Sequence, residues 1–409
     1  MNSRYFIRYI IKKDFKIAFL QRLILKWLKK LEIRDIIWLD SLTSHQLHCL
    51  QSAKTVWSYP PQRLDKSTLP VKVSTPTLFL YRLHNIILNT HSSHFVAENN
   101  QIIMERVPDA NLEYCNYSTG YIKAHNSYHG LYKRSAKPKN SMLFSRALYL
   151  GGNGIFNYYH WLIEIAPKLL QIKQDVLNHY DVTTIILDDS VKNIPSFSKI
   201  LELFLSASQL NLNIIYQHKS RTIYVKELFY INQINNIVFN SSQVLSSPTF
   251  SCLCPELIHH IRTVCLNQLE PLVTSKTYPR KIFLARNERA VRAYNQTEIM
   301  TYFEQQGFTA VYLEQHDFLE QVRLFNHAEF IVGPSGAAWS NIIFCQPHIK
   351  AISWLPEQIA EFSVFSTLAQ IVQCDLRFTL AQAEYPDNLH SGYQVSAKDL
   401  IQLYDNMKL

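Results

Sequence analysis

Lys281–Ala285 reads KIFLA, a short apolar β-forming run, and a helical pattern over 296–306 follows it. The same alternation then continues through Thr309–Leu313 (TAVYL), a helical Phe318–His327, Phe330–Val332 (FIV), a short helix at Trp339–Phe344 and Lys350–Leu355 (KAISWL). Strands and helices alternating at this spacing predict a parallel sheet covered on both faces. Upstream, the pattern predicts strands at Ser145–Leu150 and Val182–Leu187 and helices over Asn157–Ile172 and 197–206. Two β-rich runs follow, Leu212–Tyr216 and Thr222–Tyr230, then a helix from Pro255 to about Leu269. The expectation is two α/β domains, each a twisted parallel sheet, with a cleft between them. The boundary falls near Thr274–Pro279, giving a segment 36–274 and a segment 275–409, preceded by an arm over 1–35. No internal repeat at a solenoid period is present. In such sheets ligands bind beyond the carboxyl ends of the strands.

The arm holds nearly all of the chain's formal charge of +9. Residues 1–30 carry nine Lys and Arg against Asp14 alone, so the rest of the chain is almost neutral. A basic body that would track nucleic acid is therefore excluded. Apolar residues such as Phe6, Ile10, Phe15, Leu20 and Leu23 lie between those charges, which suits a helix resting on an anionic membrane surface; a solvated helix packed on the protein's own body is the other reading. No run is long and apolar enough to cross a bilayer, and the first residues do not resemble a cleaved signal peptide. Seven cysteines without a CxxC spacing suit reduced thiols in a cytoplasm. Cys252 and Cys254 near His259 and His260 read as a loop entering a helix rather than as a metal site, so neither metal nor cofactor is expected.

Glycine is scarce, and five of the nine glycines fall in two segments. The first, Gly151-Gly152-Asn153-Gly154, runs into Asn157-Tyr158-Tyr159-His160-Trp161-Leu162-Ile163-Glu164. Helical spacing places Asn157, His160, Trp161 and Glu164 on one face, where an imidazole and a carboxylate one turn apart can hold a hydroxyl and accept its proton. Asn157 as a helix cap with His160 and Glu164 as a surface pair is the competing reading. A dinucleotide loop ending in a ribose acid at Asp188 is a third. It fits poorly, because the third glycine is replaced and Asp188 lies 36 residues beyond Gly152, where about 20 are expected.

The second segment, Val332-Gly333-Pro334-Ser335-Gly336-Ala337, leaves a buried strand through a tight turn into a helix. Arg286, Arg289 and Arg292 leave the preceding strand's carboxyl end, before Asn295 and a helix start. Guanidinium forks and backbone N–H groups both suit phosphate oxygens, so a diphosphate is the natural common ligand; a solvated basic turn and a plain tight turn are the alternatives.

The run Asn157 through Glu164 with Pro167 is similar to the N-x-x-H-W-x-x-E/D…P motif of family 61 glycosyltransferases. Arg286 through Glu298 resembles that family's arginine-rich segment. Glu320-Gln321 with Val332 through Ala337 and Asn341 resembles its G-P-H-G-A…T-N motif. The likeness covers about residues 145–355. It departs at Ser335, where the family usually has His, and at Ala338-Trp339-Ser340, where it has Gly-Leu-Thr. Ser335 can donate a hydrogen bond but carries no charge. The resemblance implies a GT-B architecture of two Rossmann-like domains and inverting transfer from a nucleotide sugar, UDP-linked, without a bound metal. The acceptor implied is a hydroxyl of a growing cell-surface glycan such as capsule or lipopolysaccharide. It implies that Arg286, Arg289, Arg292, Asn157, Asn295, Asn341 and the Gly333–Ala337 turn bind substrate, and that Glu164 or His160 is the base. A non-catalytic glycan- or nucleotide-binding module that kept the fold is the alternative function.

Overall fold

The computed structural model describes residues 31–408 apart from 65, 98, 100, 106–114, 117–121, 126–127, 134–141, 238–246, 270–276, 288–291, 386–387 and 389–390. The basic arm over 1–30 lies outside the described residues. Leu31–Trp38 forms a strand that overlaps the expected end of the arm at 35. This strand pairs antiparallel with His129–Lys133 and parallel with Ile102–Met104.

Two large sheets form the framework. The first contains β1 (Leu78–Leu88), β2 (Met142–Tyr149), β3 (Thr184–Asp188), β4 (Asn213–Gln217) and β5 (Ile223–Ile231), in the spatial order β4-β3-β2-β5-β1. β4, β3, β2 and β5 are parallel. β1 runs antiparallel to β5 and carries the sheet on into short strands between 31 and 133. The expectation of a purely parallel first sheet is thus corrected to a mixed one. Outside the parallel block the added strands pair antiparallel, except for Leu31–Trp38 with Ile102–Met104. Within that block the order of strands is 3-2-1-4, counted along the chain.

The second sheet contains β6 (Lys281–Leu284), β7 (Thr309–Val311), β8 (Phe330–Pro334), β9 (Lys350–Pro356) and β10 (Asp375–Ala383), in the order β7-β6-β8-β9-β10 and all parallel. Tyr393–Val395 adds an antiparallel edge. Gln62–Arg63, far upstream, pairs parallel with β10. Counted along the chain, this order is 2-1-3-4-5, so the chain changes direction between β6 and β8. Crevices at such switch points, outside the carboxyl ends of the strands, are where open α/β sheets take ligands.

Helices α1 (Pro195–Ala207), α2 (Pro255–Leu266), α3 (Gln296–Gln305) and α4 (Phe318–His327) occupy the expected positions within a few residues. One apolar cluster takes in residues of both halves, from Leu80 and Trp161 through Phe197 and Ile261 to Phe325, Trp339 and Phe365. Trp161 stacks on Phe197 at 5.8 Å and donates from Nε1 to the Phe197 carbonyl. Trp161 therefore packs into the core.

Candidate functional site

The first constellation begins where β2 ends. Gly154 has φ of +78°, a left-handed conformation that favours glycine, and it accepts from Asn157 N at 2.7 Å. Asn157 Oδ1 then accepts from Tyr159 N at 2.9 Å, so Asn157 is a cap at the start of the helical run. From His160 to Ile165 the helix is wound as a π-helix, then tightens to a 3-10 helix over Ala166–Gln171. Pro167 explains the change. It has no N–H to give Ile163, and the side-chain amide of Asn235 donates to that carbonyl instead, at 2.9 Å. Asn235 Oδ1 in turn accepts from Cys254 N at 2.7 Å.

This winding brings His160 Nδ1 to 2.6 Å from Glu164 Oε2, with both side chains buried. The pair is therefore not a surface one. A carboxylate on Nδ1 fixes the orientation of the ring, with the Cδ2–Nε2 edge on its opposite side. That edge lies over the glycine loop: a β-carbon on Gly154 would sit 2.5 Å from His160 Cδ2. Gly154→Ala should therefore displace the imidazole and strain the turn. We expect a loss of stability of about 1–2 kcal/mol and a loss of activity larger than that of a surface Gly→Ala control, checked by thermal melts and turnover.

Burial raises the Tyr159 phenol well above its ordinary range, and Glu164 adds to the effect. One turn beyond Glu164, burial pushes Lys168 down to about 8 against the pull of Glu105 and Glu164. Lys168 Nζ donates to the Tyr230 hydroxyl at 3.1 Å, which donates in turn to Glu105 Oε1. Neither Lys168 nor Glu105 was legible as part of the site from local sequence.

The Gly151–Gly154 loop rests on a second polar segment, Asn89–His94, which sequence reading missed. Gly152 N donates to the Thr90 carbonyl and Asn153 N to Ser93 Oγ at 3.0 Å. The run NTHSSH, buried throughout, was the available signal. Asp188 is tied to the same segment. It accepts from Thr90 Oγ1 at 2.5 Å and from Ser190 N at 2.9 Å, and lies 3.2 Å from His91 Nε2. Burial alone would raise the Asp188 carboxyl, yet hydrogen bonds from His91, Ser190 and Thr90 hold it at about 2. Asp188 thus braces two loops rather than presenting a carboxylate to a ribose. Its native-state contribution is fully present above pH 4 and is lost as the pH falls toward 2, about 2 kcal/mol in all. The stability gap between the wild type and Asp188→Asn should narrow over that range in urea titrations at successive pH values.

The second constellation assembles at the switch point between β6 and β8. Gly333 is required there because a β-carbon would meet Leu284 Cβ at 2.6 Å. Arg286 Nη2 donates to the Ser335 carbonyl at 2.5 Å, and Nη1 reaches the Arg292 carbonyl at 3.1 Å and the Tyr393 hydroxyl at 3.3 Å. Gln296 holds the Arg286 backbone from both sides, accepting from its N at 2.8 Å and donating to its carbonyl at 2.7 Å. Arg292 has φ of +65°, strained for a non-glycine residue. Burial and the neighbouring Arg286 lower its guanidinium below the ordinary range. Among the described residues, neither Arg286 nor Arg292 has a carboxylate within ion-pair distance. Two adjacent cations with no carboxylate partner among the described residues, beside a helix starting at Ala337, make a site that favours a bound anion.

Arg289 lies outside the described residues. Asn295 is tied to the edge strand: its side-chain amide accepts from Val395 N and donates to the Val395 carbonyl, both at 3.0 Å. Pro334 O accepts from Trp339 Nε1. Asn341 is fully buried, accepting from the Tyr158 hydroxyl at 2.5 Å and donating to Gln321 Oε1 at 3.2 Å. It therefore joins the start of the His160 helix to the helix that follows the Gly333–Ala337 turn.

Cys252 and Cys254 are buried thiols, Cys252 pushed up to about 12 by burial. Among the described residues no group of His, Cys, Asp or Glu is placed to hold a metal ion, and no helix is long and apolar enough to cross a membrane.

Residues 158–352 match the family model described as Glycosyltransferase 61. No curated protein matches the chain. The matched segment contains His160, Glu164, Arg286, Arg292, the Gly333–Ala337 turn and Asn341. It supports glycosyltransferase family 61 and, with it, glycosyltransferase activity.

Proposed function

We propose, taking the match of residues 158–352 to Glycosyltransferase 61 as the premise, that the chain is an inverting glycosyltransferase of GT-B architecture. Its donor is a nucleotide sugar, UDP-linked, whose diphosphate lies at the carboxyl ends of β6 and β8. The observation that carries this reading is the Arg286–Arg292 pair, half-buried beside the Ser335 turn with no carboxylate partner among the described residues. Its two positive charges and the N–H groups at Ala337 balance a leaving diphosphate, and they supply that charge without a bound metal.

In the proposed reaction an acceptor hydroxyl attacks the anomeric carbon from the face opposite the diphosphate. The new C–O bond forms as the bond to the phosphate oxygen breaks, and that oxygen leaves with the electron pair. The hydroxyl proton passes to the Glu164–His160 pair. Asn157 and Asn341 act here by placing that pair against the donor turn. The acceptor is a growing cell-surface glycan such as capsule or lipopolysaccharide. The basic arm over 1–30 keeps the enzyme at the cytoplasmic face of an anionic membrane.

A thermal-shift screen against UDP, GDP, CMP and their sugar conjugates tests the donor site. One nucleotide should raise the melting temperature, since a ligand that binds only the folded state stabilises it by RT ln(1 + [L]/Kd). No shift with any of them in a folded sample would contradict the reading.

A further inference from the structure

The helical run that carries His160 and Glu164 continues into Lys168, whose long cationic side chain is only 4% exposed. Its Nζ donates to the Tyr230 hydroxyl at 3.1 Å and lies 4.3 Å from the centre of that ring. The Tyr230 hydroxyl donates on to Glu105 Oε1, and Glu105 Oε2 accepts from Gln233 N at 3.0 Å. A buried ammonium is costly unless it is paired and hydrogen-bonded. Two carboxylates oppose the effect of burial on Lys168: Glu105, linked to it through Tyr230, and Glu164, four residues earlier on its own helical run. The balance leaves Lys168 at about 8, so it is an ammonium at neutral pH.

The other ionisable groups around this cluster supply no competing charge. Tyr149 stacks on Tyr230 at 6.1 Å and donates its hydroxyl to the Ser92 carbonyl at 2.8 Å. Burial raises the phenols of Tyr81, Tyr159 and Tyr230 and the thiol of Cys252, so all four are neutral at pH 7. His160 meets Glu164 directly, at 2.6 Å. With both carboxylates ionised and His160 neutral, the ammonium leaves the group one negative charge, and a single proton arriving at Glu164 or His160 cancels it. Without the ammonium the excess would be two negative charges, and the pair would take its proton from water before an acceptor hydroxyl could deliver one.

We propose that Lys168 is a positioning residue for the Glu164–His160 pair: its buried charge, fixed by Tyr230 and Glu105, keeps the pair free to accept a proton. Its part in sugar transfer rests on the glycosyltransferase reading; its hold on the pair does not.

The test follows the His160 ring of the full-length protein by NMR across pH, in histidine-labelled samples whose His160 signal is identified by its absence in His160→Gln. Lys168→Met, close in length and uncharged, should raise the titration midpoint by at least about one pH unit, as loss of a nearby opposite charge does for a carboxylate. Lys168→Gln also loses the charge but can still donate to Tyr230, so it should raise the midpoint equally; it carries the test if Lys168→Met does not fold. Lys226→Met, at an exposed position on β5, should leave the midpoint in place. A folded Lys168→Met or Lys168→Gln that titrates with Lys226→Met would overturn the proposal. A raised midpoint in a protein that transfers no sugar would keep the hold of Lys168 on the pair and remove the transferase reading instead.

Discussion

Glu164→Gln should lower turnover at saturating donor by about 1,000-fold, the range expected for loss of general-base assistance, while nucleotide affinity stays within about twofold. Gln keeps the shape of Glu and can still hydrogen-bond His160 Nδ1, so the buried pair at 2.6 Å is replaced rather than emptied. What disappears is the negative charge that accepts a proton or stabilises the imidazolium. The unchanged nucleotide response shows that the fold and the donor site are intact. A second variant separates the two members of the pair. In His160→Ala, added imidazole restores turnover if His160 itself carries the proton, and leaves it unchanged if Glu164 does. Turnover in Glu164→Gln equal to that of the wild type would remove Glu164 from both roles.

Arg286→Ala should have the other large effect, weakening nucleotide binding by at least about 100-fold, as loss of charge-assisted hydrogen bonds of about 1.5–3 kcal/mol each implies. The guanidinium does two things at once. It places positive charge at the switch point, and its fork clamps the Ser335 carbonyl, the Arg292 carbonyl and the Tyr393 hydroxyl. Arg286→Lys should recover little, because an ammonium cannot reproduce the planar fork that spans these acceptors. Arg292→Ala should weaken binding without the same loss of melting temperature, because the bond to Arg286 comes from its backbone carbonyl. Titration calorimetry with the nucleotide that gives the largest thermal shift measures all three. Wild-type affinity in Arg286→Ala would place the anion elsewhere.

β6 to β9 of the second sheet were legible because each is a short apolar run followed by a helix; β10, its antiparallel edge Tyr393–Val395 and the pairing of Gln62–Arg63 were not expected from the sequence. Residues 31–133 were less legible. Most of their strands are only two to six residues long, and the long one, β1, finds its partner far away in sequence, in β5. The π-helical winding at His160–Ile165 was not legible either. Pro167 announces a break, but the replacement donor is Asn235, on a different element. Asn295 and Asn341 carried the right residue type for ligand binding, yet each found protein partners: Val395 is 100 residues beyond Asn295, and Tyr158 lies 183 residues before Asn341. The Asp188 carboxylate shows the same limit, since its brace depends on Thr90 and His91 coming across from the loop after β1. Local pattern identified which loops matter; which atoms in them face a ligand is decided by contacts between distant segments.

Hydrogen exchange with and without the best-binding nucleotide tests the location of the donor site directly, because the chain has two loops at strand carboxyl ends where a nucleotide could bind. Protection should appear over Lys281–Arg286 and across Phe330–Phe344, with the Gly151–Asn157 loop unchanged. Protection confined to Gly151–Asn157, with the arginine segment and the Ser335 turn unaffected, would contradict a donor site at β6 and β8.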